Sequence, residues 1–256
     1  MINLLSVGYS KLFKNLAFKV NLLIMALIPM FFSAVAVVKN PPDGGPLNGI
    51  YNTGMIFIGI MIGAFVSLYI SQDYTEKTIN NKIMAGYSRI EIYFADLIVT
   101  LSGALIMQLV CIAAASLIAI PACGMYTDAI GDVVRSQLLL FLTATVYTVV
   151  ALFISTAINS KAYAVAISLI TVMIMLMAGI GAYDAVTRSD EVPAQEVTTM
   201  DKVFDTLYLV LPQSQMYAVM NEGIPAECAV MMGCDAATIT VMTALGLMMF
   251  KRKDIK

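Results

Sequence analysis

QDYTEKTINNKIMAGYSRIEIYFAD, residues 72–96, is a polar and charged island between two apolar runs. The preceding run, Tyr51–Ser71, and the following one, Leu97–Ile120, contain no Asp, Glu, Lys or Arg. A hydrocarbon core about 30 Å thick takes about 20 apolar helical residues to cross. Each run is therefore a predicted membrane span, and the island is the connection between them on one face. Four more runs meet the requirement, Val20–Val38, Gln137–Ile158, Ala162–Tyr183 and Cys228–Phe250. Across all six, Asp235 is the single ionisable Asp, Glu, Lys or Arg.

Composition agrees. Of 256 residues, 60% are apolar and 12% charged, against roughly half and a quarter in soluble domains. A helix satisfies its own backbone hydrogen bonds in lipid, so the predicted fold is all-α and integral to the membrane. The roughly ten-residue alternating segments of a transmembrane barrel are missing. The first run is followed by Lys39-Asn-Pro-Pro, not by a small-residue cleavage site, and reads as a span rather than a removed signal. The chain reads as a single transmembrane domain over residues 1–256.

Basic residues set the orientation. One face receives Lys11, Lys14, Lys19, Lys77, Lys82, Arg89, Lys161 and the four basic residues of the tail; the other holds Lys39, Arg135, Arg188 and Lys202. Eleven against four predicts a cell-membrane protein with both termini cytoplasmic. The basic tail reads as an anchor to membrane lipids, and nothing points to nucleic acid. The chain has no histidine and no tryptophan. Without histidine, Ser-His-Asp triads, Cys-His pairs and histidine-based zinc sites are excluded within this chain; no catalytic or metal site is predicted. Without tryptophan, tyrosine must form the interfacial belt, and Tyr51, Tyr126 and Tyr183 fall at outer span ends, Tyr74, Tyr93 and Tyr163 at inner ones.

Residues 1–18 place Ile2, Leu5, Tyr9, Leu12, Phe13 and Leu16 on one helical face, which predicts an amphipathic helix in the inner headgroup layer. Pro29 predicts a bend in span 1. Gly59 and Gly63 form a GxxxG that allows close helix approach, and Gly179 and Gly181 allow the same or a bend. Spans 4 and 5 are separated only by Asn159-Ser-Lys161, which demands a tight antiparallel hairpin. Residues 203–222 are spaced for short amphipathic helices interrupted by Pro212, folded onto or slightly into the outer leaflet.

Within the island, Asp73-Tyr-Thr-Glu76 has the form of a capping box, predicting a short helix over 73–86 ended by Gly86 at the left-handed C′ position. Ser88-Arg-Ile-Glu91 is a second box, with Tyr87 and Ile92 as its hydrophobic staple, leading into span 3.

The order Glu76-Lys-Thr78-Ile79-Asn80-Asn81-Lys82-Ile83-Met84-Ala85-Gly86-Tyr87-Ser88-Arg89, directly after a span, resembles the cytoplasmic loop of type-2 ABC transporter permeases. The resemblance extends to the N-terminal helix, six spans and a helical hairpin before the last span. Lys77 stands where the family often has Gly, and Asn80 where it often has Arg. The resemblance implies that the short helix is a coupling helix docking on an ABC ATPase subunit, with Glu76, Thr78, Ile79, Asn81, Lys82 and Gly86 as docking candidates. It implies a second permease copy or a related permease as partner, and export as the activity. The chain has no GxxxxGK[ST], so ATP and its Mg would bind the partner subunit.

Asp235 is a functional candidate by its position in a span, either lining a substrate path or reaching outer water; Asn21 is a weaker candidate for the path or an interfacial anchor. Cys111 and Cys234 read as packing residues, whereas Cys123 and Cys228 fall near the outer surface, where pairing is left open. The alternative function is an ATP-independent membrane scaffold or sensor that binds a cytoplasmic partner through residues 73–96. An intramembrane enzyme is disfavoured by the lack of histidine and of paired carboxylates within spans.

Overall fold

The computed structural model describes residues 1–39, 51–123, 129–191 and 199–253. Regular structure among them is helical throughout, without strands. In chain order the helices are α1 (Ile2–Lys14), α2 (Leu16–Lys39), α3 (Ile58–Thr75, entered through a 3-10 turn at Thr53–Phe57), α4 (Thr78–Met84), α5 (Arg89–Cys123), α6 (Ile130–Ala157), α7 (Lys161–Glu191), α8 (Thr199–Val210), α9 (Pro212–Glu222) and α10 (Cys228–Arg252). Six helical stretches are long and apolar enough to cross a membrane, in α2, α3, α5, α6, α7 and α10. The chain is a multi-pass membrane protein.

Several helices run past their apolar runs. α5 starts eight residues before Leu97, and α3 continues to Thr75. A helix carries its hydrogen bonds with it, so apolarity marks where the hydrocarbon begins rather than where the helix does.

α3 and α6 form the centre, with 67% and 78% of their apolar windows buried; for α2, α7 and α10 the values are 22%, 22% and 17%. α3 packs on α6 and α7, α5 on α2, and α10 on α6. In lipid, apolar burial alone gives little drive for helix association, so close approach and polar contacts must supply it. The GxxxG of α3 divides this work: Gly59 faces the Tyr147 ring of α6, and Gly63 faces Val172 and Ser168 of α7. A Cβ at Gly179 of α7 would meet Gln213 and the Ser214 backbone, so this glycine admits α9; Gly181 faces open space. The outward faces of α2 and α7 expose Leu23, Leu27 and Phe31, and Ile170, Ile174 and Met177.

Three local expectations need correction. The N-terminal helix stops at Lys14, because the Asn15 side chain accepts from the backbone N–H of Ala17 at 2.8 Å and so starts α2. α1 buries Leu4 and Leu12 and leaves Ile2 and Phe13 exposed, and Leu16, also exposed, belongs to α2. Tyr51 and Tyr93 are not belt residues; both are buried in the bundle, because their positions at span ends also lie against neighbouring helices. Tyr126 lies outside the described residues, as does the side chain of Cys123; Cys228 is a free thiol.

Candidate functional site

The island folds into a helix–turn–helix unit on the face that also carries α1 and the end of α10. α3 ends at Thr75, and Lys77 turns the chain with a left-handed φ of 54°. α4 follows at once. Its end is a Schellman motif: the Gly86 N–H donates to the Ile83 carbonyl (2.9 Å) and the Tyr87 N–H to that of Lys82 (3.3 Å). Gly86 has φ 88°, a conformation that favours glycine. The second capping box forms reciprocally. The Ser88 N–H donates to Glu91 Oε2 at 2.9 Å, and the Glu91 N–H to Ser88 Oγ at 3.2 Å.

The first capping box does not form. Asp73 lies inside α3, and no side chain caps α4. Its buried carboxylate instead joins Lys11 of α1 on Oδ1 and Lys82 of α4 on Oδ2, and accepts from Thr78 Oγ1 at 2.8 Å. Lys82 also reaches Asp96 of α5 at 3.2 Å. Lys11 donates further to the Tyr69 carbonyl and lies 4.2 Å from the Tyr69 ring centroid. Burial lowers the affinity of Lys82 for its proton, but Asp96 and Asp73 outweigh it and hold the ammonium above the ordinary lysine value. Two lysines and two aspartates thus tie α1, α3, α4 and α5 together.

A second clasp joins the island to the last span. Arg89 donates to the carbonyls of Phe250, Lys251 and Lys253 at 3.2, 2.9 and 2.6 Å, occupying the orphan acceptors at the end of α10. Lys253 in turn donates to the Thr156 carbonyl at the end of α6 and lies 4.0 Å from the Tyr74 ring centroid.

These contacts sort the docking candidates into two faces. Glu76, Asn81 and Gly86 are exposed, together with Lys77, Met84 and Ala85. Ile79 is 2% exposed, while Thr78 and Lys82 are turned to Asp73. Lys11, Asp73, Asp96 and Lys253, absent from the sequence-derived set, complete the unit. Only the D-x-x-E signature drew attention to one of them, and for a different role.

The remaining candidates are enclosed. Asn21 is 6% exposed and donates to the Ala17 carbonyl one turn back. Asp235 is 0% exposed, so it does not reach outer water. It meets the first turn of α9, where Gln213, Ser214 and Gln215 are fully buried between spans. Gln215 Nε2 donates to Asp235 Oδ1 at 3.1 Å, and Thr143 Oγ1 of α6 lies 3.3 Å from Oδ2. Thr143 Oγ1 is also 3.0 Å from Gln215 Oε1 and 2.8 Å from the Leu139 carbonyl, so one hydroxyl hydrogen faces three acceptors. Tyr147 donates to Gln213 Oε1 at 3.1 Å. α9 is therefore inserted into the bundle, deeper than a helix resting on the leaflet.

The six-span bundle, the two-faced α4 unit and the inserted α9 are accompanied by a family match: the model of the ABC-2 family transporter proteins covers residues 7–255. The chain belongs to the ABC-2 transporter family. No curated protein matches it significantly. In this ABC-2 protein the family match runs over nearly the whole chain and so includes the segment from α3 to α5 that carries the loop resemblance. The family associates in general with an ABC ATPase partner.

Proposed function

We propose that this chain is the permease subunit of an ATP-driven exporter, forming half of the substrate pathway, with α4 as the coupling helix received by a separate ATPase subunit. The observation that carries this reading is the two-sidedness of α4 and the turn at Glu76–Lys77 that leads into it. Glu76, Lys77, Asn81 and Met84 point outward, while Ile79 and Lys82 fix the helix to the ends of α3 and α5. The outward face offers both charge signs, an amide and an adaptable thioether. ATP and Mg belong to the partner, consistent with the lack of a Walker A sequence here. A second copy or a related permease completes the pathway, in the cell membrane with both termini in the cytoplasm.

In this mechanism, nucleotide binding draws two ATPase subunits together and displaces α4. Lys82 passes the displacement to Asp73 and Asp96, and Arg89 passes it to α10. Packed helices then re-orient as discrete bodies.

The test is retention of the ATPase subunit by tagged permease. The wild-type chain co-purifies with it, and Glu76→Lys lowers retention about ten-fold, the scale of one interface hot spot. Gly86→Ala, whose Cβ meets no atom but whose φ is strained, weakens coupling of ATP hydrolysis to binding without unfolding the bundle. Intact retention and coupling in both variants would remove the docking role, and purification without any ATPase would favour a scaffold or sensor.

A further inference from the structure

On the α4 face, separate from the docking surface, a cavity of about 470 Å³ opens between the α1–α2 joint, α3 and the start of α7. This lies within the roughly 300–1,000 Å³ of small-ligand sites. Lys11, Lys14 and Lys161 line it. Lys11 is neutralised by Asp73, whereas Lys14 and Lys161 are exposed and make no ion pair among the described residues. The cavity therefore holds two uncompensated ammonium groups. Asn15 and Gln72 form its polar floor, the Asn15 amide donating to Gln72 Oε1 at 3.2 Å.

Its depth is fixed by the chain itself. Leu16 is the first residue of α2 and Lys161 the first of α7, so the cavity sits where two spans enter the membrane. Leu16, 74% exposed, and Leu68 form an apolar wall, which continues along α2 through exposed Val20 and Leu23.

From this juxtaposition we infer that the cavity binds the phosphodiester headgroup of an anionic phospholipid, with Lys14 and Lys161 on the phosphate and the acyl chains along Leu16, Leu68 and the α2 face. A soluble phosphate would satisfy the two lysines but leave the apolar wall unused. An amphiphile uses both, and basic pockets between spans suit such headgroups. The site is linked to the docking surface, because Gln72 Nε2 donates to Glu76 Oε1 at 2.6 Å.

The chain has no tryptophan, so Leu16→Trp supplies a single indole at the cavity rim. The full-length protein carrying it is reconstituted into vesicles of phosphatidylcholine with increasing brominated phosphatidylglycerol, or with brominated phosphatidylcholine as control. Quenching saturates at low fractions of the anionic lipid and shows no such saturation with the zwitterionic one. Lys14→Gln with Lys161→Gln lowers the apparent preference about ten-fold, from about 1 kcal/mol per surface lysine less salt screening. Equal quenching by the two lipids would overturn the inference, as would an unchanged preference in the double variant. Inorganic phosphate abolishing the anionic quench, where chloride of equal ionic strength does not, would replace the lipid by a soluble anion. Both lysines are exposed, and melting in detergent confirms that the variants fold.

Discussion

Asp73 concentrates the demands on the α4 unit. Its carboxylate, 4% exposed at the side chain, serves Lys11, Lys82 and Thr78. Removing one partner of a buried pair costs about 3–5 kcal/mol, and less when the partner reaches water. Lys11 and Lys82 keep 23% and 19% exposure, so Asp73→Asn is expected to cost roughly 2–3 kcal/mol, read as a lower melting temperature in detergent. Adding Lys82→Met removes an ammonium left half-paired and recovers part of the loss; strictly additive losses would show that the pair is not coupled. Lys253 gives a test of opposite sign. Burial holds it at about 8, below the ordinary 10.5. Between those values the folded chain binds fewer protons than the unfolded one, so this residue's contribution to stability rises with pH. Melting measured at about pH 7.5 and about pH 9.5 should show a more positive change for the wild type than for Lys253→Met.

Among the elements, the spans and the turn at Gly86–Glu91 were legible because their causes are local. Uncharged runs must cross lipid, and Ser88 and Glu91 satisfy each other within one turn. The start of α4 was not legible, because the fate of Asp73 is decided by Lys11, 62 residues away, and by Lys82. With those cations present, α3 runs on through Asp73, and the D-x-x-E signal loses to tertiary pairing. α9 was misplaced for a similar reason. Pro212-Gln-Ser-Gln215 reads as polar and superficial, yet Tyr147, Thr143 and Asp235 on two other helices offer it partners inside the bundle. That trio supplies a prediction. Asp235→Asn brings an extra hydrogen to a cluster short of one and keeps wild-type thermal stability. Asp235→Ala leaves one Gln215 amide hydrogen without its acceptor, the other still donating to the Leu209 carbonyl at 2.9 Å, and costs about 1–3 kcal/mol. Equal losses in the two variants would contradict this hydrogen-bond accounting.

For the whole molecule, the proposed orientation places α4 and α8 on opposite sides of the membrane. In a chain with its native cysteines replaced by alanine, exposed Asp205→Cys on α8 is expected to react with a membrane-impermeant maleimide on intact cells. Exposed Lys77→Cys should react only after the membrane is opened; the reverse pattern would invert the topology. The contacts on the α4 face also join the early chain to its late residues: Arg89 binds carbonyls at residues 250, 251 and 253. During synthesis the first two spans and α4 are made more than 150 residues before these acceptors exist, as the separations of 161 to 164 from Arg89 show. At about 5–20 residues per second that interval is on the order of ten seconds or more. The tie between Arg89 and α10 therefore forms only once the last described helix has been made, so under the proposed mechanism a partner that met α4 earlier would meet a face not yet joined to that span.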